Sequence, residues 1–210
     1  MSPPPRAFLL LLLMVLPLMS SLPAIAAAPE PPATTAPPVR KTILLDDFEN
    51  LGGWSALASP TARLEIAQDA GHTGRALRLD FEFQDGTGWV IARKAFPMRL
   101  PDNFAFHFLV RGDTSPGDAE FKLVDSRENV WWFKQREYAI PDDWRPVTVK
   151  RRQISLAWGP GGPLDEVAVL EFAFAPGKPG KGSVWIDELR FEEREPAHAY
   201  TLTPVIRAST

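Results

Sequence analysis

Leu77-Arg78-Leu79-Asp80-Phe81-Glu82-Phe83 is the stretch on which the fold turns. Apolar and charged residues alternate strictly along it. Successive side chains on a strand point to opposite faces, so the run presents one apolar and one charged face. Wound as a helix, the same residues would scatter around the axis. The period returns at Phe104, Phe106, Phe108 and Val110, which alternate with Ala105, His107, Leu109 and Arg111. Further strand-like runs are Ile43–Glu49, Arg63–Ala67, Gly88–Phe96, Glu120–Asp125, Val130–Tyr138, Pro146–Arg151, Val167–Ala175 and Ser183–Glu192.

Turn chemistry separates these runs: Gly71-His72-Thr73-Gly74, Asp85-Gly86-Thr87-Gly88, Gly112–Gly117, Pro141-Asp142-Asp143 and Gly177–Gly182. No long amphipathic segment competes as a helix. About ten short strands at this spacing predict an all-β, antiparallel sandwich or barrel. Val167–Ala175 carries apolar residues on both faces, as a central strand covered by a second layer would, which favours the sandwich. The last run changes phase: Val184 and Ile186 share one face, Leu189 and Phe191 the other. A bulge near Asp187-Glu188 would reconcile them.

Outward from these runs, the two ends of the chain read differently. Arg6, the apolar run Phe8–Leu18 and Ala24-Ile25-Ala26 make a signal peptide over residues 1–26, with cleavage after Ala26 or within Ala26–Ala28. A membrane-anchoring helix is the alternative, but the run is shorter than the roughly 20 residues a span needs. No cysteine follows it, so a lipoprotein anchor is excluded. Residues 27–40 are rich in proline and read as an extended linker. Residues 41–193 form one domain, and 194–210 a tail or linker without sustained periodicity. The expected location is secreted or periplasmic.

Composition removes several functions. The chain has no cysteine, hence no thiol nucleophile, thiolate zinc site or redox motif. Its net charge of -3 comes from interspersed acids and bases, not from the basic face that nucleic acid demands. Gly177-Lys178-Pro179-Gly180-Lys181-Gly182-Ser183 lacks the lysine of a phosphate loop and precedes a strand, so it reads as a hairpin loop. Arg111-Gly112-Asp113 matches an adhesion tripeptide by coincidence at a strand end. No nucleophile elbow and no zinc-protease helix is present. The acids could supply a glycosidase pair only if two of them faced each other across a cleft, and nothing singles out two. No catalysis is expected.

Five ordered segments carry a resemblance: Leu44-Leu45-Asp46-Asp47-Phe48-Glu49 followed by Gly53-Trp54; Gly74-Arg75-Ala76-Leu77-Arg78-Leu79; Phe108-Leu109-Val110-Arg111-Gly112-Asp113; Pro141-Asp142-Asp143-Trp144-Arg145-Pro146-Val147-Thr148-Val149; and Gly182-Ser183-Val184-Trp185-Ile186-Asp187-Glu188-Leu189-Arg190-Phe191. Together they resemble the galactose-binding-like jelly-roll domains, especially family 11 carbohydrate-binding modules and the complex I intermediate-associated family. The resemblance implies two facing antiparallel sheets and a structural calcium ion where the first and last strands meet. Glu49 and Asp187 match the family's acidic positions, with Asp47 as a third. Calcium takes six to eight hard oxygen ligands, which carboxylates and carbonyls supply.

The resemblance also implies a glycan on the concave sheet, where aromatic rings stack on sugar faces and polar groups hold hydroxyls. Val130–Tyr138 is the best candidate: Trp132, Lys134, Arg136 and Tyr138 share a face, with Trp89 and His107 joining from nearby strands. In another register Trp131 is the exposed indole. A glycan face predicts at least two coplanar exposed aromatics. The scarcity of tyrosine departs from the sugar-binding clefts of that family and leaves a second reading, a sandwich for contact with a separate protein. A membrane partner is not expected after signal cleavage.

Overall fold

The computed structural model describes residues 38–196. The expected signal peptide, nearly all of the expected linker and the tail beyond 196 lie outside the described residues. Twelve strands follow in order: β1 (Val39–Asp46), β2 (Ser55–Ala58), β3 (Ala62–Ala70), β4 (Arg75–Phe83), β5 (Val90–Arg99), β6 (Phe104–Asp113), β7 (Gly117–Val124), β8 (Val130–Tyr138), β9 (Arg145–Lys150), β10 (Ser155–Trp158), β11 (Glu166–Pro176) and β12 (Gly180–Arg194). They form two antiparallel six-stranded sheets. Sheet A runs β3-β4-β12-β6-β9, with β1 also paired to β12; sheet B runs β10-β8-β7-β11-β5-β2. The fold is an all-β sandwich, as the alternation predicts.

The alternating apolar residues meet between the sheets. Leu77, Leu79, Phe81 and Phe83 of β4 and Phe104, Phe106, Phe108 and Val110 of β6 are buried against Phe121 and Leu123 of β7 and Leu170 and Phe172 of β11. Aromatic contacts bridge the layers: Phe106 to Phe121 at 5.1 Å and Phe108 to Phe172 at 5.0 Å between centroids. Burying each such ring contributes about 1.5–3 kcal/mol.

The long β12 is the seam of sheet A. Its pairing with β6 shifts register between Asp187 and Arg190, and Glu188 takes φ 52°. This bulge keeps Val184 and Ile186 before it, and Leu189 and Phe191 after it, in one core. Beyond the bulge β12 pairs with β1, so first and last strands are neighbours. Both strands overrun the expected domain limits by a residue or two. Glu195 N–H donates to the Pro38 carbonyl at 2.9 Å, closing the two ends on each other.

Three features differ from the sequence reading. The strands β2 and β10 were not anticipated; all four residues of β2 are exposed, so it carries no burial period. Both lie at the edges of sheet B. The Gly177–Gly182 segment is not a hairpin loop: it carries the chain from β11 in sheet B to β12 in sheet A.

Candidate functional site

Alternation along β8 sends Trp131 into the core and Trp132 outward. Cross-strand register then builds a row over the outer face of sheet B. Trp132 faces Lys122 of β7, Lys122 faces Glu171 of β11, Glu171 faces Arg93 of β5, and Arg93 faces Ser55 of β2. Ser155 of β10 flanks Trp132 on the other side. In the next row, Lys134 faces Glu120.

Ion pairs lock these rows together. Lys134 Nζ lies 2.7 Å from Asp118 Oδ2 and 2.9 Å from Glu120 Oε1. Lys122 Nζ lies 2.9 Å from Glu120 Oε2, and Arg93 Nε 3.4 Å from Glu171 Oε1. Lys122 and Glu171 are buried despite facing outward. A buried charge is tolerated only when paired, and here three cations meet three carboxylates. Burial pulls Lys134 down, but its two carboxylate partners outweigh it and hold the ammonium above its ordinary range. Lys134 in turn holds Asp118 below the carboxylate range. Asp118 is therefore ionised, unlike the protonated carboxyl a general acid requires.

Two indoles border this polar floor. Trp158 of β10, 52% exposed, stands edge-to-face with Trp132, at 5.8 Å between centroids and 84° between planes. Lys134 Nζ lies 4.9 Å from the Trp132 centroid and Lys122 Nζ 5.4 Å from that of Trp158. The pair is perpendicular, not coplanar. One ring offers its face where the other offers its edge.

The other sequence candidates disperse. Arg136 is exposed near the end of β8. Tyr138 leaves the Trp132 face: β8 shifts register against β7, Glu137 takes φ 47°, and Tyr138 faces Gly117. It lines a crevice at one end of the sandwich with Phe81, Phe83, Ile140 and Phe174. Trp89 is exposed just before β5, which β7 and β11 separate from β8. His107 is on the other sheet altogether, on the outer side of β6. Its Nδ1 is 3.0 Å from Thr148 Oγ1, and its Nε2 is 3.0 Å from Glu192 Oε2. Sequence reasoning missed Trp158, Lys122, Glu120, Asp118, Glu171 and Arg93. Strand pairing alone brings them to Trp132, and no local pattern in the sequence marks it.

The residues expected to hold calcium lie where β12, the Gly71–Arg75 loop and the segment after β1 meet. Asp187 is fully buried; its Oδ2 accepts the N–H groups of His72 and Thr73 at 2.8 and 3.1 Å. Glu49 Oε1 accepts the N–H of Arg75 at 2.7 Å. Two carboxylates thus hold one loop, Gly71–Arg75. A Cβ on Gly71 would meet both Asp187 Oδ2 and the Arg75 carbonyl oxygen, at 2.7 and 2.8 Å. These are all hard oxygen donors, and Asp187 has no cationic side chain paired with it among the described residues. Burial raises its carboxyl above the usual range. Oxygen donors of this kind are those calcium takes, although here both Asp187 oxygens and Glu49 Oε1 accept backbone N–H groups. Asp47 is exposed, and its Oδ1 is engaged by the N–H of Glu49 at 3.2 Å. Among the described residues no group of three or more acids or histidines gathers for a metal, so Asp47 does not complete a three-carboxylate set.

Comparison with known proteins places the fold. No protein-family profile matches the sequence, and no curated protein matches it. Solved structures do. A family 11 carbohydrate-binding module from Clostridium thermocellum, in complex with a β-1,3-1,4-mixed-linked tetrasaccharide, superposes with a TM-score of 0.57 at 16% identity, covering 71% of this chain and 94% of its own. The family 11 module of a cellulosomal cellulase of Clostridium thermocellum gives 0.57 at 16%, with 75% and 98% covered. A family 30 module from another cellulase of that organism gives 0.50 at 15%, with 69% and 93% covered. The chain shares the antiparallel β-sandwich fold of these modules, consistent with the expected jelly roll. Within that fold it resembles the family 11 modules.

Proposed function

We propose that this chain is an exported, non-catalytic carbohydrate-binding module, with the outer face of sheet B as its ligand face. The row Trp132–Lys122–Glu171–Arg93 carries this reading. It sets a half-exposed indole beside a continuous strip of hydrogen-bond donors and acceptors. A sugar ring needs both, an apolar surface for its C–H face and polar partners for its hydroxyls. Counted with the adjoining Lys134, Asp118 and Glu120, the face balances three cations against three carboxylates, which suits a neutral glycan. The family 11 module bound to a tetrasaccharide supports the same reading by analogy of fold. Binding of this kind is weak, with Kd about 10 μM to 1 mM, or about −7 to −4 kcal/mol.

Calcium belongs to this proposal as a structural ion. Glu49, Asp187 and carbonyls of the Gly71–Arg75 loop would hold it and fasten that loop to the seam of sheet A. Export belongs to it as well, through cleavage of residues 1–26. The mature N-terminus of the secreted or periplasmic protein, read by mass spectrometry, checks that part.

A glycan array probed with the chain in calcium, followed by titration of hits against Trp132→Ala and Trp158→Ala, tests the ligand face. Saturable binding lost in a folded Trp132→Ala variant is expected. A broad array without a hit would move the assignment to contact with another protein.

A further inference from the structure

The outer face of sheet A carries a second row of aromatic and basic side chains, on a different sheet from the face assigned above. Arg78 of β4, Trp185 of β12 and Arg111 of β6 are direct cross-strand partners. Trp144, one residue before β9, extends the row. The guanidinium carbon of Arg111 lies 4.3 Å from the Trp185 centroid and 5.2 Å from that of Trp144, so this cation is flanked by two indoles. Arg78 also stacks on Trp185, at 5.1 Å. His72 approaches Trp144 edge-on at 6.3 Å.

The two arginines differ in their partners. Arg78 Nε donates to Asp80 at 2.9 Å and its Nη1 to Asp69 at 3.0 Å. Asp69 takes the Trp185 indole N–H as well, at 3.0 Å, and Asp80 the Ser183 hydroxyl. Farther along β12, Arg190 is paired with Glu188 and Arg194 with Glu192. Among the described residues Arg111 has no such acid. Its Nε is buried without a hydrogen-bond partner among the described residues, and the ion pairs of its neighbours do not reach it.

A guanidinium held by ring faces alone keeps its planar fork of donors in a set orientation while leaving the charge uncompensated. The chemical group that matches such a fork is a carboxylate, which takes two parallel N–H bonds. The half-exposed Trp144 ring beside it suits the C–H surface of a sugar. A run of acidic residues in a peptide would need several free cations in line, yet Arg78, Arg190 and Arg194 already hold carboxylates. We propose that the outer face of sheet A is a second ligand face that binds a carboxylate-bearing sugar, a uronate unit of an acidic glycan. Arg111 holds the carboxylate and Trp144 flanks the ring. The proposal stands without the sheet B reading, whose three cations are matched by three carboxylates.

Isothermal titration of the full chain with hexagalacturonate, cellohexaose and hexaglutamate tests it. Hexagalacturonate should bind, and more weakly as salt rises from about 0.05 to about 0.5 M. Arg111→Gln and Trp144→Ala, each checked by thermal melting, should weaken that binding by about tenfold or more, whereas Trp132→Ala should leave it unchanged. If Arg111→Gln does not fold, Trp144→Ala at its half-exposed loop position carries the same comparison. A wild-type chain that takes no hexagalacturonate overturns the proposal. So does a folded Arg111→Gln variant of undiminished affinity. Hexaglutamate bound equally well, with the same dependence on Arg111, overturns the sugar assignment. Failure of the sheet B reading looks different: it is a broad glycan array without a hit, or a hit indifferent to Trp132→Ala.

Discussion

Lys94 of β5 reaches Asp46 of β1 across the gap between the sheets, its Nζ 2.7 Å from Oδ2. The same carboxylate accepts the Trp54 indole N–H at 2.9 Å and the Phe48 N–H at 2.9 Å. One acid therefore satisfies two buried N–H groups and an ammonium, and joins sheet A to sheet B. Asp46→Ala would leave all three without their acceptor and should cost about 3–5 kcal/mol of unfolding free energy. Lys94→Met, which removes the charge but keeps the stem beside Phe96 and Trp54, should cost less. Urea denaturation checks both; a loss under about 1 kcal/mol for Asp46→Ala would remove its bridging role.

Trp131 and Trp132 separate stability from binding. Trp131 is buried and its Nε1 points to Asp125 at 3.5 Å. Its replacement by alanine empties core volume and should cost about 3–5 kcal/mol. Trp132→Ala removes a ring from the outer face and should change stability by about 1 kcal/mol or less. Equal losses in the two variants would contradict the assignment of faces.

Acid should weaken the fold through its depressed carboxylates. The indole N–H of Trp185, the backbone N–H of Ala70 and Arg78 bring Asp69 from 3.8 down to about 2. Burial raises Asp125, but hydrogen bonds from Asn129 and Arg127 outweigh it and hold this group low too. A carboxylate depressed in the folded state stabilises the protein above its unfolded pKa, about 3.9 for Asp. That stabilisation disappears as pH falls through the folded value. The urea midpoint should thus decline between about pH 4 and pH 2. Trp185→Phe removes the leading donor to Asp69, so the Asp69 carboxyl followed by NMR should titrate at higher pH. An unchanged titration would assign the depression to Arg78 instead.

Gly74 tests the proposed calcium loop. It takes φ 61°, and a Cβ there would fall 1.8 Å from Glu49 Oε1. Gly74→Ala must therefore displace Glu49 from the Arg75 N–H as well as strain the backbone, a loss of about 1–2 kcal/mol. If Glu49 and Asp187 hold calcium, the wild-type Tm should rise with calcium over chelator, and Gly74→Ala and Glu49→Gln should lose most of that rise. Identical wild-type melting with and without calcium would end the proposal.

What was legible in the sequence was local. Alternation at Leu77–Phe83 and Phe104–Val110 assigned strands and their core faces, because a strand repeats every two residues whatever lies beside it. The same logic placed the bulge at Asp187-Glu188, since two apolar pairs out of phase can share one core only across an extra residue. The order of motifs from Asp46 to Phe191 pointed to the jelly roll. Strand neighbours were beyond that reach. Trp132 meets Trp158 because β10 pairs with β8, and meets Lys122 because β7 does; His107 is absent because β6 belongs to the other sheet. Tyr138 turned away at a register shift against β7 that leaves it opposite Gly117, which its own pattern does not show. Arg111 alternates like any outward residue of β6, and only the arrival of Trp185 on one side and Trp144 on the other isolates its charge. A period of two decides which face a side chain takes. Long-range pairing, settled by the whole core at once, decides which side chains share that face.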